Sequence, residues 1–193
     1  MTRADQTLRP SYFDAVYAAQ PDPWKFASSA YERKKYAATL AALPRPRYAS
    51  ALEIGCSIGV LTYDLAMRCD RLLALDAAFA PLGEARRRCA AFPDVRFEQM
   101  FVPQWPHGSF DLIVLSEVVY YLCARDVQRL AMRVTRSLAP EGDIVLVHWT
   151  GETDYPLTGD EAAEFFIAAM RRTVKVERRD SHHAFRLDVL RRR

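Results

Sequence analysis

The stretch Ala51-Leu52-Glu53-Ile54-Gly55-Cys56-Ser57-Ile58-Gly59-Val60-Leu61-Thr62 limits what this chain can fold into more than any other. An apolar run ends beside an acid, a turn with two glycines follows, and a helix-like pattern begins. A strand, a tight loop and a helix start in that order bring backbone close to a small ligand. Glycine has no Cβ to obstruct the approach, and a helix start offers free N–H groups. The spacing is Glu-x-Gly-x-x-x-Gly, and a second acid, Asp76, ends the next apolar run, Leu72-Leu73-Ala74-Leu75. An acid about twenty residues beyond such a turn is placed to take both hydroxyls of an adenosine ribose. Together Glu53 and Asp76 point to S-adenosylmethionine as the ligand.

Three other readings use the same residues. A dinucleotide fingerprint needs glycine where Ser57 and Val60 stand. A hydrolase nucleophile elbow, Gly-x-Ser-x-Gly, is matched by Gly55, Ser57 and Gly59, with His148 available downstream. That reading gives Glu53 and Asp76 no role, and the chain is short for the fold. The third is a turn that packs a helix on a strand and binds nothing.

A chain of 193 residues, half of them hydrophobic, supports one domain, or one domain with a small cap. The net charge of +3 is mild, and no basic stripe with interleaved aromatics is present, so nucleic acid is not required as a partner. Arg86–Arg88 and Arg191–Arg193 read as a helix face and a solvated tail. Cys56, Cys69, Cys89 and Cys123 are scattered without Cys-x-x-Cys spacing, which argues against a disulfide framework or a zinc site and fits a reducing cytoplasm. No signal-peptide pattern opens the chain, and no apolar run is long enough to span a bilayer.

Residues 1–40 are aromatic and helix-prone. Tyr12, Phe13, Val16 and Tyr17 repeat at helical spacing, Pro21-Asp22-Pro23 breaks the chain, and a second helix is expected over 29–43, capped by Ser28 or Ser29 with Glu32 near its third position. Strands are expected at 50–55, 71–76, 94–98, 110–115 and 143–149, and helices at 59–68, 79–91, 125–138 and 159–171, the last capped by Thr158 or Asp160. Residues 173–178 and 184–190 alternate apolar and polar around Asp180-Ser181-His182-His183, as in an antiparallel hairpin. The expected architecture is a single domain over 1–193. It has a doubly wound, mostly parallel seven-stranded sheet at 46–193, a C-terminal antiparallel hairpin, and a helical lid at 1–45.

Ligands of such a sheet bind beyond the carboxyl ends of its strands. The candidate site therefore comprises Gly55 to Gly59, Asp76 to Ala78, Gln99 to Phe101, Ser116 to Tyr121 and His148 to Tyr155, roofed by the N-terminal helices.

These residues resemble class I S-adenosylmethionine-dependent methyltransferases over roughly 50–150, through Leu52 to Gly59, Asp76 and Gly108-Ser109-Phe110-Asp111-Leu112-Ile113-Val114. Over most of the chain the resemblance is to the NodS family, whose type member N-methylates a chitooligosaccharide amine in nodulation signalling. It rests on Tyr12-Phe13-Asp14-Ala15-Val16-Tyr17, Pro21-Asp22-Pro23-Trp24, Tyr31-Glu32, Lys35-Tyr36 and Ser116-Glu117-Val118-Val119-Tyr120-Tyr121-Leu122. The resemblance implies that Gly55 and its neighbours hold the methionine part of the cofactor, that Asp76 and Ala77 lie at the ribose, and that Met100 and Phe101 flank the adenine. Gln99-Met100 stands where many of these enzymes carry an acid for the adenine amino group.

Methyl transfer needs alignment and exclusion of water, because the methyl carbon is already activated. An amine acceptor must also lose a proton, so a nearby base helps. Glu117, His148 and Asp154 are the candidates. Two have a structural alternative: Glu117 as an acid at a helix start, His148 as a hydrogen-bonded strand end. Trp24 and Tyr31 on the cofactor side, with Ser116, and Tyr120, Tyr121 and Tyr155 on the acceptor side complete the set. Aromatic faces attract a sulfonium or an ammonium and stack on sugars, though lid or core packing accounts for them equally. His182 and His183 read as surface residues, and no metal is expected. The expected activity is N-methylation of an amine on a sugar or oligosaccharide-like small molecule. The alternatives are O-methylation of a small molecule, or a silent cofactor-binding module.

Overall fold

The structure is a computed structural model that describes residues 3–193. It comprises two compact units, residues 9–101, and residues 3–8 together with 102–193.

In the first unit, helix α1 (Pro10–Ala19) begins with proline, whose missing N–H is harmless in a first turn, and buries Phe13 and Tyr17. Helix α2 (Ala30–Ala42) is capped by Ser29, whose hydroxyl accepts from the Glu32 N–H at 3.4 Å. Between them the Asp22 carboxylate accepts from the N–H groups of Phe26 and Ala27 at 2.8 and 3.0 Å. Then follow β1 (Ala51–Ile54), α3 (Val60–Ala66), β2 (Leu72–Asp76), α4 (Leu82–Arg88) and β3 (Val95–Gln99). Strand β2 pairs in parallel with both β1 and β3. All four residues of β1 are buried, as a strand covered on both faces requires. Helices α1 and α2 group with these strands and do not form a unit of their own.

The second unit contains β4 (Phe110–Ser116), a 3-10 turn (Val119–Tyr121), α5 (Ala124–Ser137), β5 (Leu138–Trp149), α6 (Gly159–Met170), β6 (Val174–Ser181) and β7 (Phe185–Arg192). Strands β4 and β5 are parallel, while β7 is antiparallel to both β5 and β6. Helix α5 buries Val127, Leu130, Ala131 and Val134, one stripe at helical spacing. Thr158, not Asp160, caps α6, in a reciprocal box with Glu161.

The seven strands form one mixed sheet in the order β3-β2-β1-β4-β5-β7-β6, the fold class the sequence implies. Several boundaries move: α4 spans Leu82–Arg88 against an expected 79–91, α3 spans Val60–Ala66 against 59–68, and strands lengthen. Strand β5 begins at Leu138, paired with Phe110 ahead of a register shift, so it is longer than its apolar stretch. Strand β6 runs on to Ser181, pairing Asp180 with Leu187 and Ser181 with Arg186, which leaves 182–184 as the turn. In this polar tail Ser181 faces buried Arg186 of β7, which bonds Asp188 and Glu164 at 2.6 and 2.7 Å. Among the described residues no helix is long and apolar enough to cross a membrane.

Candidate functional site

In the first unit the loop after β1 carries three left-handed residues in five positions, Gly55 (φ +83°), Ser57 (φ +49°) and Gly59 (φ +78°). The N–H groups of Gly55 and Cys56 donate to the Leu75 carbonyl at 2.8 and 3.0 Å, tying the loop to β2. A Cβ on Gly59 would lie 2.9 Å from Ala85 Cα, so this glycine lets loop and α4 meet.

Asp76 anchors the other side. Its Oδ2 accepts from the Ser57 N–H at 2.8 Å, and its Oδ1 accepts from the Ala78 N–H at 2.9 Å. Met100 N–H donates to the Asp76 carbonyl at 2.9 Å. The Gln99 side-chain amide donates to the Ala77 carbonyl at 3.0 Å, so it is committed within the sheet. Tyr17 of α1 reaches the same loop, its Oη donating to Ser57 Oγ at 2.5 Å. Trp24 packs edge-on against Tyr17 at 5.5 Å and stacks on Phe26 at 5.5 Å. Tyr31 lies on α2 beneath the Lys35 ammonium, 5.2 Å from its ring centre. Phe101 is half-buried just after β3.

Glu53 and Asp76 are both buried, and among the described residues neither pairs with a lysine or arginine. Glu53 Oε2 is buried without a hydrogen-bond partner. Two buried carboxylates that lack a cationic partner fit a ligand that carries its own positive charge and hydroxyl donors, as S-adenosylmethionine does. Burial, then the Asp76 charge, raises the Glu53 carboxyl to about 7. Burial raises Asp76 to about 6 against its backbone hydrogen bonds. Folding therefore favours the protonated acids. Their stabilisation is full below about pH 4 and is lost as pH rises through about 6 and 7. The melting temperature of the ligand-free protein is expected to rise by about 5–10 °C from pH 7.5 to 5.5, with Glu53→Gln removing the larger part. A flat profile in a thermal melt series would contradict this.

In the second unit β4 ends at Ser116, and Glu117 follows with φ +57°, a costly backbone state for a residue with a side chain. Two contacts hold it. Its N–H donates to the Val147 carbonyl at 2.8 Å, and its Oε2 accepts from the Trp149 N–H at 2.9 Å. The same Oε2 accepts from Tyr120 Oη at 2.6 Å. Burial, then the Glu117 charge, keeps the Tyr120 phenol protonated well above its usual range, so it remains a donor. Tyr120 stacks on Tyr155 at 5.3 Å, and Tyr121 meets both rings edge-on at 4.6 and 4.7 Å. His148 lies 5.4 Å from Tyr120, and its Nε2 accepts from the Val119 N–H at 3.2 Å. That bond commits Nε2 to the backbone and puts the proton of a neutral ring on Nδ1.

Glu117, Tyr120, Tyr121, His148 and Tyr155 thus come together. Asp154 does not join them through its carboxylate, which is exposed; its carbonyl accepts from the Ala4 N–H at 2.9 Å. Residues 3–8 strap this cluster, which no local pattern in the chain announces. Leu8 N–H donates to the Tyr121 carbonyl at 2.9 Å, and Arg3 donates to the Pro156 carbonyl at 2.8 Å. Thr7 accepts from the Cys123 N–H at 3.0 Å, supplying the cap that α5 lacks from its own N-cap side chain. In the sequence Tyr17 stands only as part of a helical stripe. Its signal was a tyrosine on a buried helix face, since a buried phenol needs a partner.

The pattern of the Nodulation protein S (NodS) family matches residues 15–154. Nodulation protein S of Rhizobium tropici is 36% identical over 130 residues, which is 66% of this chain and 55% of that protein. The chain thus spans little more than half the length of that relative. A solved structure from Pseudomonas syringae, provisionally called a methyltransferase, is 39% identical with a TM-score of 0.74, and covers 85% of this chain and 100% of its own. N-methyltransferase NodS from Bradyrhizobium japonicum WM9, solved with S-adenosyl-L-homocysteine, shares the fold at a TM-score of 0.79 and 21% identity, covering 96% of this chain and 99% of its own.

Proposed function

The chain belongs to the Nodulation protein S (NodS) family, and on that premise we propose that it is an S-adenosylmethionine-dependent methyltransferase. Gly55, Ser57, Gly59 and Glu53 hold the methionine part of the cofactor in this reading. Asp76 and Ala77 take the ribose, Met100 and Phe101 flank the adenine, and Trp24, Tyr31 and Ser116 line the remainder. When bound, S-adenosylmethionine supplies an activated methyl carbon and leaves as S-adenosylhomocysteine.

The acceptor is an amine on a sugar or oligosaccharide-like small molecule. The observation that carries this is the Glu117 carboxylate, fixed through one oxygen by Tyr120 and the Trp149 N–H within a wall of three tyrosines. An ammonium is drawn to a carboxylate and to aromatic faces, and sugar rings stack on such faces. Glu117 receives the proton that the amine must lose. His148 holds the 119–121 turn that presents Tyr120, which makes it a positioning residue. Tyr121 and Tyr155 contact the acceptor, with Asp154 at the rim.

The test is transfer of a labelled methyl group to a chitooligosaccharide bearing one free amine, beside its fully N-acetylated form and a phenol. Label on the free amine alone is expected. Label on the phenol would make the protein an O-methyltransferase, and no label on any acceptor despite cofactor binding would make it a silent module. Glu117→Gln is expected to lower turnover about a hundredfold, within the usual range for a lost acid–base group. Unchanged turnover would remove Glu117 from the chemistry.

A further inference from the structure

We infer that Tyr17 is a positioning residue for the cofactor, holding the glycine loop in its binding shape through the hydroxyl of Ser57. The inference rests on the cofactor reading above and adds a residue of α1 to it. Ser57 is the one residue of the loop that adopts the left-handed region (φ +49°) while carrying a Cβ, a conformation that side chains disfavour. Something outside its own backbone must keep it there.

Two contacts do so. The Ser57 N–H donates to Asp76 Oδ2 at 2.8 Å, and Ser57 Oγ accepts from Tyr17 Oη at 2.5 Å. Tyr17 is itself fixed, being 7% exposed and packed edge-on against Trp24. Burial, then the Asp76 charge, holds its phenol protonated well above its usual range, so it stays a donor. The bonds run in series from helix to loop to acid. Tyr17 sets Ser57, the Ser57 N–H sets one oxygen of Asp76, and the Ala78 N–H sets the other at 2.9 Å. The orientation of the acid proposed to take the ribose thus depends on Tyr17, which lies forty residues before Ser57 in the chain.

The experiment is calorimetric titration of S-adenosylhomocysteine into wild type, Tyr17→Phe, Ser57→Gly and the double variant, each with a thermal melt. Tyr17→Phe is expected to raise Kd about fivefold to tenfold, the worth of one net hydrogen bond. Glycine adopts φ +49° freely, so it makes the Tyr17 hydroxyl dispensable. Whatever affinity Ser57→Gly itself loses, the double variant is therefore expected to bind within about twofold of Ser57→Gly alone. A Tyr17→Phe protein that melts lower but binds with wild-type Kd would overturn the inference. So would a double variant that stays about fivefold to tenfold weaker than Ser57→Gly. If Tyr17→Phe does not fold, Ser57→Ala cuts the same bond from the other end, and wild-type affinity there would overturn it equally. Absence of binding in the wild type would instead remove the cofactor reading itself.

Discussion

Replacing Asp76 by alanine is expected to weaken S-adenosylhomocysteine binding by about a hundredfold. A hydrogen bond to a charged group contributes about 1.5–3 kcal/mol, and a carboxylate facing two ribose hydroxyls, as proposed for Asp76, makes two of them. The loss of one alone would cost at least about tenfold in Kd. The substitution also has a folding effect that opposing terms keep small. It strips the Ser57 and Ala78 N–H groups of their acceptor, which costs about 1–3 kcal/mol for each that remains buried. It also removes a carboxylate whose burial raises it to about 6, which offsets part of that cost. Calorimetry on the folded variant separates the two effects. Affinity within twofold of wild type would show that Asp76 only braces the loop.

Gly59→Ala is expected to destabilise the protein by about 3 kcal/mol. The backbone there has φ +78°, which costs a residue with a Cβ about 1–2 kcal/mol. The added carbon would also meet Ala85 Cα at 2.9 Å and Ala85 Cβ at 3.0 Å, and overpacking of this kind costs about 1–3 kcal/mol. Backbone on both sides leaves little room to relax. Gly83 in α4 is the control, since nothing lies within 4 Å of a Cβ placed there. Gly83→Ala is expected to stabilise by about 0.5–1 kcal/mol, because a helical glycine gives up more chain entropy on folding. Urea unfolding of both variants checks the pair. Equal stabilities would mean that the loop does not need glycine at 59.

These expectations draw on features of different legibility. The glycine loop, Asp76 and the strand–helix alternation could be read from the chain because each is set by local pattern: apolar runs, turn residues and caps. Ser29 and Thr158 cap their helices because a hydroxyl three residues before an acid satisfies its own neighbours. Contacts made far along the chain left no such trace. Tyr17 looks like any apolar residue on a helix stripe, yet its hydroxyl reaches Ser57. Thr7 precedes every regular element and still caps α5 through Cys123. His148 could be placed at a strand end, but the Val119 N–H that occupies its Nε2 depends on the fold of the intervening chain. Strand β5 extends to Leu138 through pairing with Phe110, which no alternation announces.

In the proposed function residues 55–59 and Asp76 form the site for S-adenosylmethionine. Titration of the purified protein with S-adenosylhomocysteine, with NAD as control, decides it. Saturable binding of S-adenosylhomocysteine alone is expected, with stabilisation of about 2.7 kcal/mol at a hundredfold excess over Kd. No binding, or equal binding of NAD, would contradict the claim and leave the loop as a packing turn.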